Sequence, residues 1–153
     1  MRDIAPAAAE TLLAVGRAMR SATEPWWLIG SAAMALHGAR PIEIADVDLM
    51  VSRKDALPLL KRLGARPLGD TGNELFRSAI FGRWTEPPLI VEIMADFSVR
   101  TEGGWQPVWP ETRETVRFGQ EILYVPSVAE LIAQCCLFGR PKDGEREKIL
   151  REL

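Results

Sequence analysis

Asp46-Val47-Asp48 places two carboxylates two residues apart in a run that continues through Leu49-Met50-Val51. A strand sends such a pair to one side of a sheet and Val47 and Leu49 to the other. Upstream, Trp26-Trp27-Leu28-Ile29 lies between Pro25 and Gly30 and reads as a short buried strand. Gly30-Ser31 ends it and opens a helix. Ser31 is expected as the N-cap, Ala32 to Leu36 as helix formers, and Gly38 as the stop. Residues 26–51 thus describe a strand, a helix and a second strand, with a Gly-Ser turn and an acidic pair inside one unit.

Two neighbouring carboxylates repel, and burial alone would raise their pKa values. A hard divalent cation such as Mg²⁺ resolves the conflict, since it takes oxygen ligands and accepts one or two carboxylates when phosphates complete its sphere. The helix start at Gly30-Ser31 offers free N–H groups to a phosphate, with no Cβ at Gly30 to keep it away. Taken singly, Ser31 is an ordinary cap and Asp46/Asp48 a solvated edge; their order and separation favour a site.

A third acid is sought on a later strand. Glu74–Phe81 and Leu89–Met94 are strand candidates separated by turn signals at Gly82 and Pro87-Pro88. Glu92, between Val91 and Ile93, is costly in such a run unless paired or metal-bound. Asp96 competes, because four residues along one strand return to the same face; Glu92 is preferred for its denser apolar surroundings.

Gly30-Ser31, Asp46-Val47-Asp48 and a later acid among hydrophobics resemble the signature of the nucleotidyltransferase fold, the DNA polymerase β-like superfamily. The likeness is greatest to small stand-alone bacterial members, including abortive-infection toxin-type enzymes, and weaker to antibiotic nucleotidyltransferases. It implies an α/β (more closely α+β) fold: a mixed β-sheet flanked by helices, with a short C-terminal helical segment, as one domain over residues 1–153. It further implies Asp46, Asp48 and Glu92 as catalytic metal ligands, and Gly30, Ser31, Arg140 and Lys142 as nucleotide-binding residues. The cofactor would be Mg²⁺ and the substrate a nucleoside triphosphate, ATP by default. The acceptor would be a small molecule, an RNA end or a protein, and an antitoxin-type protein or a homodimer the partner. Two departures motivate an alternative, a member that binds a nucleotide or partner without turnover. Cys135 stands where many relatives carry lysine, and Ile44 where many carry threonine, with Arg40 further away than the family's arginine.

Elsewhere the sequence reads as support. With 153 residues, 47% hydrophobic, it can bury a core of its own. Its 19 basic against 21 acidic residues argue against a bulk electrostatic grip on nucleic acid. Adjacent Cys135 and Cys136 suit a reduced, cytoplasmic setting. MRDIAPAAAE lacks an apolar leader core, and no apolar run reaches the roughly 20 residues that span a bilayer. Pro6–Arg20 reads as an amphipathic helix. A helix from Asp55 to Leu63 keeps Pro58 in its first turn. Glu102–Pro110 looks too rich in Gly and Pro for regular structure; Trp105 and Trp109 there either form an exposed stacking platform or cover the core. Gly119-Gln120 joins a hairpin, Ser127–Glu130 is a capping box, and a last helix covers Asp143–Leu153. Arg140 and Lys142 point either to a triphosphate or simply to solvent near a helix end. His37, the single histidine, is expected at a helix end near the site. One histidine and two cysteines make neither a zinc set nor a Ser-His-Asp triad.

Overall fold

The computed structural model describes residues 3–69 and 73–153; Met1 and Arg2, part of the leader reading, lie outside them. The chain opens with α1 (Pro6–Ala18), which ends in a 3-10 turn at Met19–Ser21. Then come β1 (Trp27–Ile29), α2 (Gly30–Leu36), β2 (Val47–Met50) and α3 (Arg53–Arg62). Next are the short β3 (Pro67–Leu68) and β4 (Phe76–Arg77), then β5 (Ile80–Trp84), β6 (Val91–Ala95), β7 (Ser98–Thr101) and β8 (Gly104–Pro107). The hairpin β9 (Glu114–Phe118) and β10 (Glu121–Val125) leads into α4 (Val128–Phe138) and α5 (Pro141–Arg151). No helix of the described residues is long and apolar enough to cross a membrane.

The five-stranded sheet has the order β1-β2-β6-β5-β3. Its neighbours are antiparallel except β2 and β6, which run parallel. Alternation divides the sheet cleanly. Leu28, Val47, Leu49, Val91, Ile93 and Ala95 join the larger core with residues of α1, α3 and the β9–β10 hairpin. Trp27, Ile29, Met50 and Met94 join a smaller cluster with Val99 and Val108. Burial of each large side chain contributes roughly 1.5–3 kcal/mol, so a one-residue slip, which would turn every side chain over, is strongly disfavoured.

Several expectations are corrected. Helix α3 starts earlier than Asp55. Ser52 is its N-cap, with Oγ accepting from Asp55 N at 3.1 Å, and Pro58 sits in the interior. The Asp55 carboxylate, 8% exposed, accepts from Thr23 N, Thr23 Oγ1 and Glu24 N at 2.7–3.1 Å. This tertiary anchor outweighs the hydrogen bond lost at proline. Glu74–Phe81 is two strands in two sheets, since β4 pairs with β7 and β5 with β6. Gly82 is mid-strand rather than a turn, because an added Cβ would lie 2.5 Å from Leu60 Cδ2 of α3. Glu102–Pro110 contains a second hairpin, with Thr101 opposite Gly104 across a two-residue turn. Trp105 lies on β8 under the Arg77 guanidinium, 4.3 Å away. Trp109 stays 49% exposed, edge-on to Trp27 at 4.7 Å.

Candidate active site

A row of directly opposed residues crosses the smaller-cluster face of the sheet: Ile29 on β1, Asp48 on β2, Glu92 on β6 and Arg83 on β5. Asp46 lies just before β2, two residues from Asp48 and therefore on the same side. Each of Asp46, Asp48 and Glu92 offers a carboxylate oxygen within 4.8 Å of the others. Asp96 does not join them. It turns away at φ +53° and pairs with Arg53 at 3.3 Å.

The charge in this cluster is only partly compensated. Burial, then Asp46 and then Glu92, push the Asp48 carboxyl up to about 7, against smaller opposing effects of Arg140 and Arg146. Glu92 is also raised, by burial and by Asp46, although Arg83 pairs with it at 3.4 Å. Arg83 was not anticipated. The trace of it in the sequence is a charged residue between Gly82 and Trp84 in a strand-like run, but its register against Glu92 is a tertiary fact. Three hard oxygen donors with excess negative charge fit a divalent cation.

Gly30 borders the cluster. It has φ +66°, and a Cβ there would stand 2.9 Å from Asp48 Oδ2. Ser31 departs from expectation: Ile29, in extended conformation, is the cap of α2, with no side-chain capping bond. Ser31 lies inside the helix, 7% exposed, and outside the set of residues lining the cleft.

The cluster floors a cleft of about 690 Å³ that Gly30, Arg140 and Lys142 also line. Arg140 is largely committed, since its Nε and Nη2 donate to Asp143 at 2.6 and 3.0 Å. Asp143 is 1% exposed. Lys142 is exposed. His37 is drawn elsewhere; its Nε2 lies 2.7 Å from Pro126 O, and it does not line the cleft. Arg40 pairs with Asp3. Cys135, 3% exposed, is a neutral thiol, pushed up to about 11 by burial and then by Asp143.

Neither a protein-family model nor a curated protein sequence matches the chain. Solved structures do. A candidate nucleotidyltransferase from Thermotoga maritima superposes with TM-score 0.78 at 23% identity, covering 99% of this chain and 98% of that one. ANT(2")-Ia in complex with adenylyl-2"-tobramycin gives 0.59 at 15%, over 92% and 86%. The lincosamide antibiotic adenylyltransferase LnuA, lincomycin-bound, gives 0.53 at 14%, over 97% and 97%. The chain has the nucleotidyltransferase fold, as its Gly-Ser and Asp-x-Asp elements led us to expect.

Proposed function

We propose that this chain is a metal-dependent nucleotidyltransferase, moving a nucleoside monophosphate from a triphosphate, ATP by default, to an acceptor hydroxyl. The observation that carries the reading is the meeting of Asp46, Asp48 and Glu92 within 4.8 Å beside a glycine whose missing Cβ leaves the Asp48 carboxylate uncovered.

Asp46, Asp48 and Glu92 would hold Mg²⁺, which when bound neutralises phosphate charge and polarises the α-phosphorus. The acceptor oxygen forms a bond to that phosphorus, the bond to pyrophosphate breaks, and the hydroxyl proton passes to a carboxylate. Glu92, opposite Asp48 on β6, is the carboxylate we assign to that proton where it does not serve as a ligand of a second metal. Arg83 holds Glu92 in place from β5. Gly30 leaves room for phosphate, and Lys142, at the mouth, supplies a mobile positive charge. We assign Ser31 no contact with substrate, and Arg140 a structural role first, through Asp143. The acceptor remains a small molecule, an RNA end or a protein side chain in this reading.

The test is transfer of label from an α-labelled triphosphate with Mg²⁺. Asp46→Ala with Asp48→Ala should abolish it, and surviving transfer would refute the assignment. A second reading, a fold that binds a nucleotide, an antitoxin-type protein or its own copy without turnover, is favoured by the neutral Cys135 thiol and the committed Arg140. Calorimetry separates the two. Mg²⁺-dependent triphosphate binding with no pyrophosphate released toward any acceptor supports this second reading, and pyrophosphate release eliminates it.

A further inference from the structure

Four of the five phenylalanines in the sequence, Phe76, Phe81, Phe97 and Phe138, line the cleft. Each is only half-buried, whereas Phe118 is 1% exposed in the core. Three of the four meet. Phe76 stands edge-on to Phe138 at 5.0 Å and tilted to Phe97 at 5.3 Å, and Phe97 is 6.1 Å from Phe138. They arrive from β4, the β6–β7 turn and α4, so three separate elements converge to build one aromatic wall.

Full burial of such rings is the ordinary outcome, since each Å² of apolar surface left in water forgoes about 25 cal/mol. Here rigid features keep them at the cleft. Asp96, between β6 and Phe97, holds φ +53°, the one positive value at a non-glycine among the described residues. Such a conformation costs about 1–3 kcal/mol, and it bends the chain directly before Phe97. The Arg140 guanidinium lies 5.0 Å from the Phe76 ring centre and 5.7 Å from that of Phe138. Its ion pair with the nearly inaccessible Asp143 fixes it there.

The cleft is therefore two-sided in chemistry, with an acidic floor suited to metal-bound phosphate and a wall of partly covered aromatic rings. A nucleoside triphosphate has the same polarity, with charge at one end and a flat ring at the other. We propose that Phe76, Phe97 and Phe138, stiffened by Arg140, form the nucleobase subsite of this cleft. The inference rests on the nucleotidyl-transfer reading and deepens it. Because every base has a π-face, such a wall is tolerant of base identity. The four common triphosphates should bind within a few-fold of one another, purines ahead for their larger ring area.

The experiment compares ATP with ribose 5′-triphosphate, which lacks a base, by calorimetry in Mg²⁺. It also follows adenosine without Mg²⁺ by saturation-transfer NMR. Wild type should bind ATP about five- to a hundredfold tighter than ribose 5′-triphosphate, on the scale of one stacked base. Phe97→Leu and Phe138→Leu, which keep the site apolar, should shrink that ratio several-fold while ribose 5′-triphosphate binds as before; thermal unfolding confirms that each variant folds. Equal affinity of wild type for the two triphosphates overturns the proposal, as does an equal loss for both in the variants, which would make the rings packing alone. Failure of the underlying reading looks different. Adenosine would still bind wild type and be lost in Phe97→Leu, which upholds the wall, while Mg²⁺ added nothing to triphosphate binding.

Discussion

Asp48 and Glu92 face each other directly across the one parallel pair of the main sheet, 44 positions apart in sequence yet in register. Desolvation disfavours both charged forms, Asp46 repels each of them, and folding alone does not supply enough cation to offset this. That imbalance shapes how the protein should respond to pH and metal.

Without metal, the raised Asp48 carboxyl makes the folded state bind more protons than the unfolded one between the ordinary carboxylate value of 3.8 and about 7. Stability should therefore fall as pH rises through that window. Asp48→Asn should raise the melting temperature at pH 8 by several degrees, at roughly 2–4 °C per kcal/mol for a chain of this size. The variant should also flatten the decline. Mg²⁺ should stabilise wild type more at pH 8 than at pH 5, because it binds the ionised form. Scanning calorimetry at several pH values checks all three.

Asp55 has the opposite sign. Burial works to raise its carboxyl, but hydrogen bonds from Thr23 and Glu24 outweigh it and leave the pKa below 3.8. Its contribution is present above the unfolded value and is lost as pH falls through the folded one. Asp55→Ala, which removes the charged acceptor of Thr23 and Glu24, should destabilise by about 1.5–3 kcal/mol at pH 7. Urea unfolding would show this as a lower midpoint with the slope retained.

Gly30→Ala forces a Cβ to within 2.9 Å of Asp48 Oδ2 at a φ of +66°. The expected cost is about 1–3 kcal/mol of stability, together with weaker Mg²⁺ binding in a calorimetric titration. A variant as stable and as metal-competent as wild type would remove Gly30 from the site.

Gly82→Ala drives a methyl to 2.5 Å from Leu60 Cδ2 and should destabilise by about 1–3 kcal/mol. Mg²⁺ affinity of the folded fraction should be kept, since the clash is on the core side of β5. Thermal melts with and without Mg²⁺ separate the two quantities.

What could be read in advance was local. The period-two spacing of Asp46 and Asp48 puts both on one face, the Gly119-Gln120 turn makes its hairpin, and Ser127 caps α4 with its side chain. Apolar density favours Glu92 over Asp96, and the register sets Glu92 opposite Asp48 while Asp96 pairs with Arg53. The misses were set by contacts distant in sequence. Ser31 reads as a cap, whereas the helix opens earlier, directly after the extended Ile29. Pro58 reads as confined to a first turn because the Asp55 anchor to Thr23 is invisible in the sequence. Gly82 looked like a turn because Leu60 was not known to press on it. Arg83 follows from strand pairing and the phenylalanine wall from the meeting of β4, the β6–β7 turn and α4, neither of which a short motif encodes.

The parallel partners β2 and β6 pin the acids, whereas Phe76, Phe81 and Arg83 all ride on the stretch that travels out from one partner and returns to the other. Within that excursion Arg83 is tied to the acidic trio through Glu92, whereas Phe76 and Phe81 are not, so the cleft lining they supply can vary while the two parallel strands keep the acids in register.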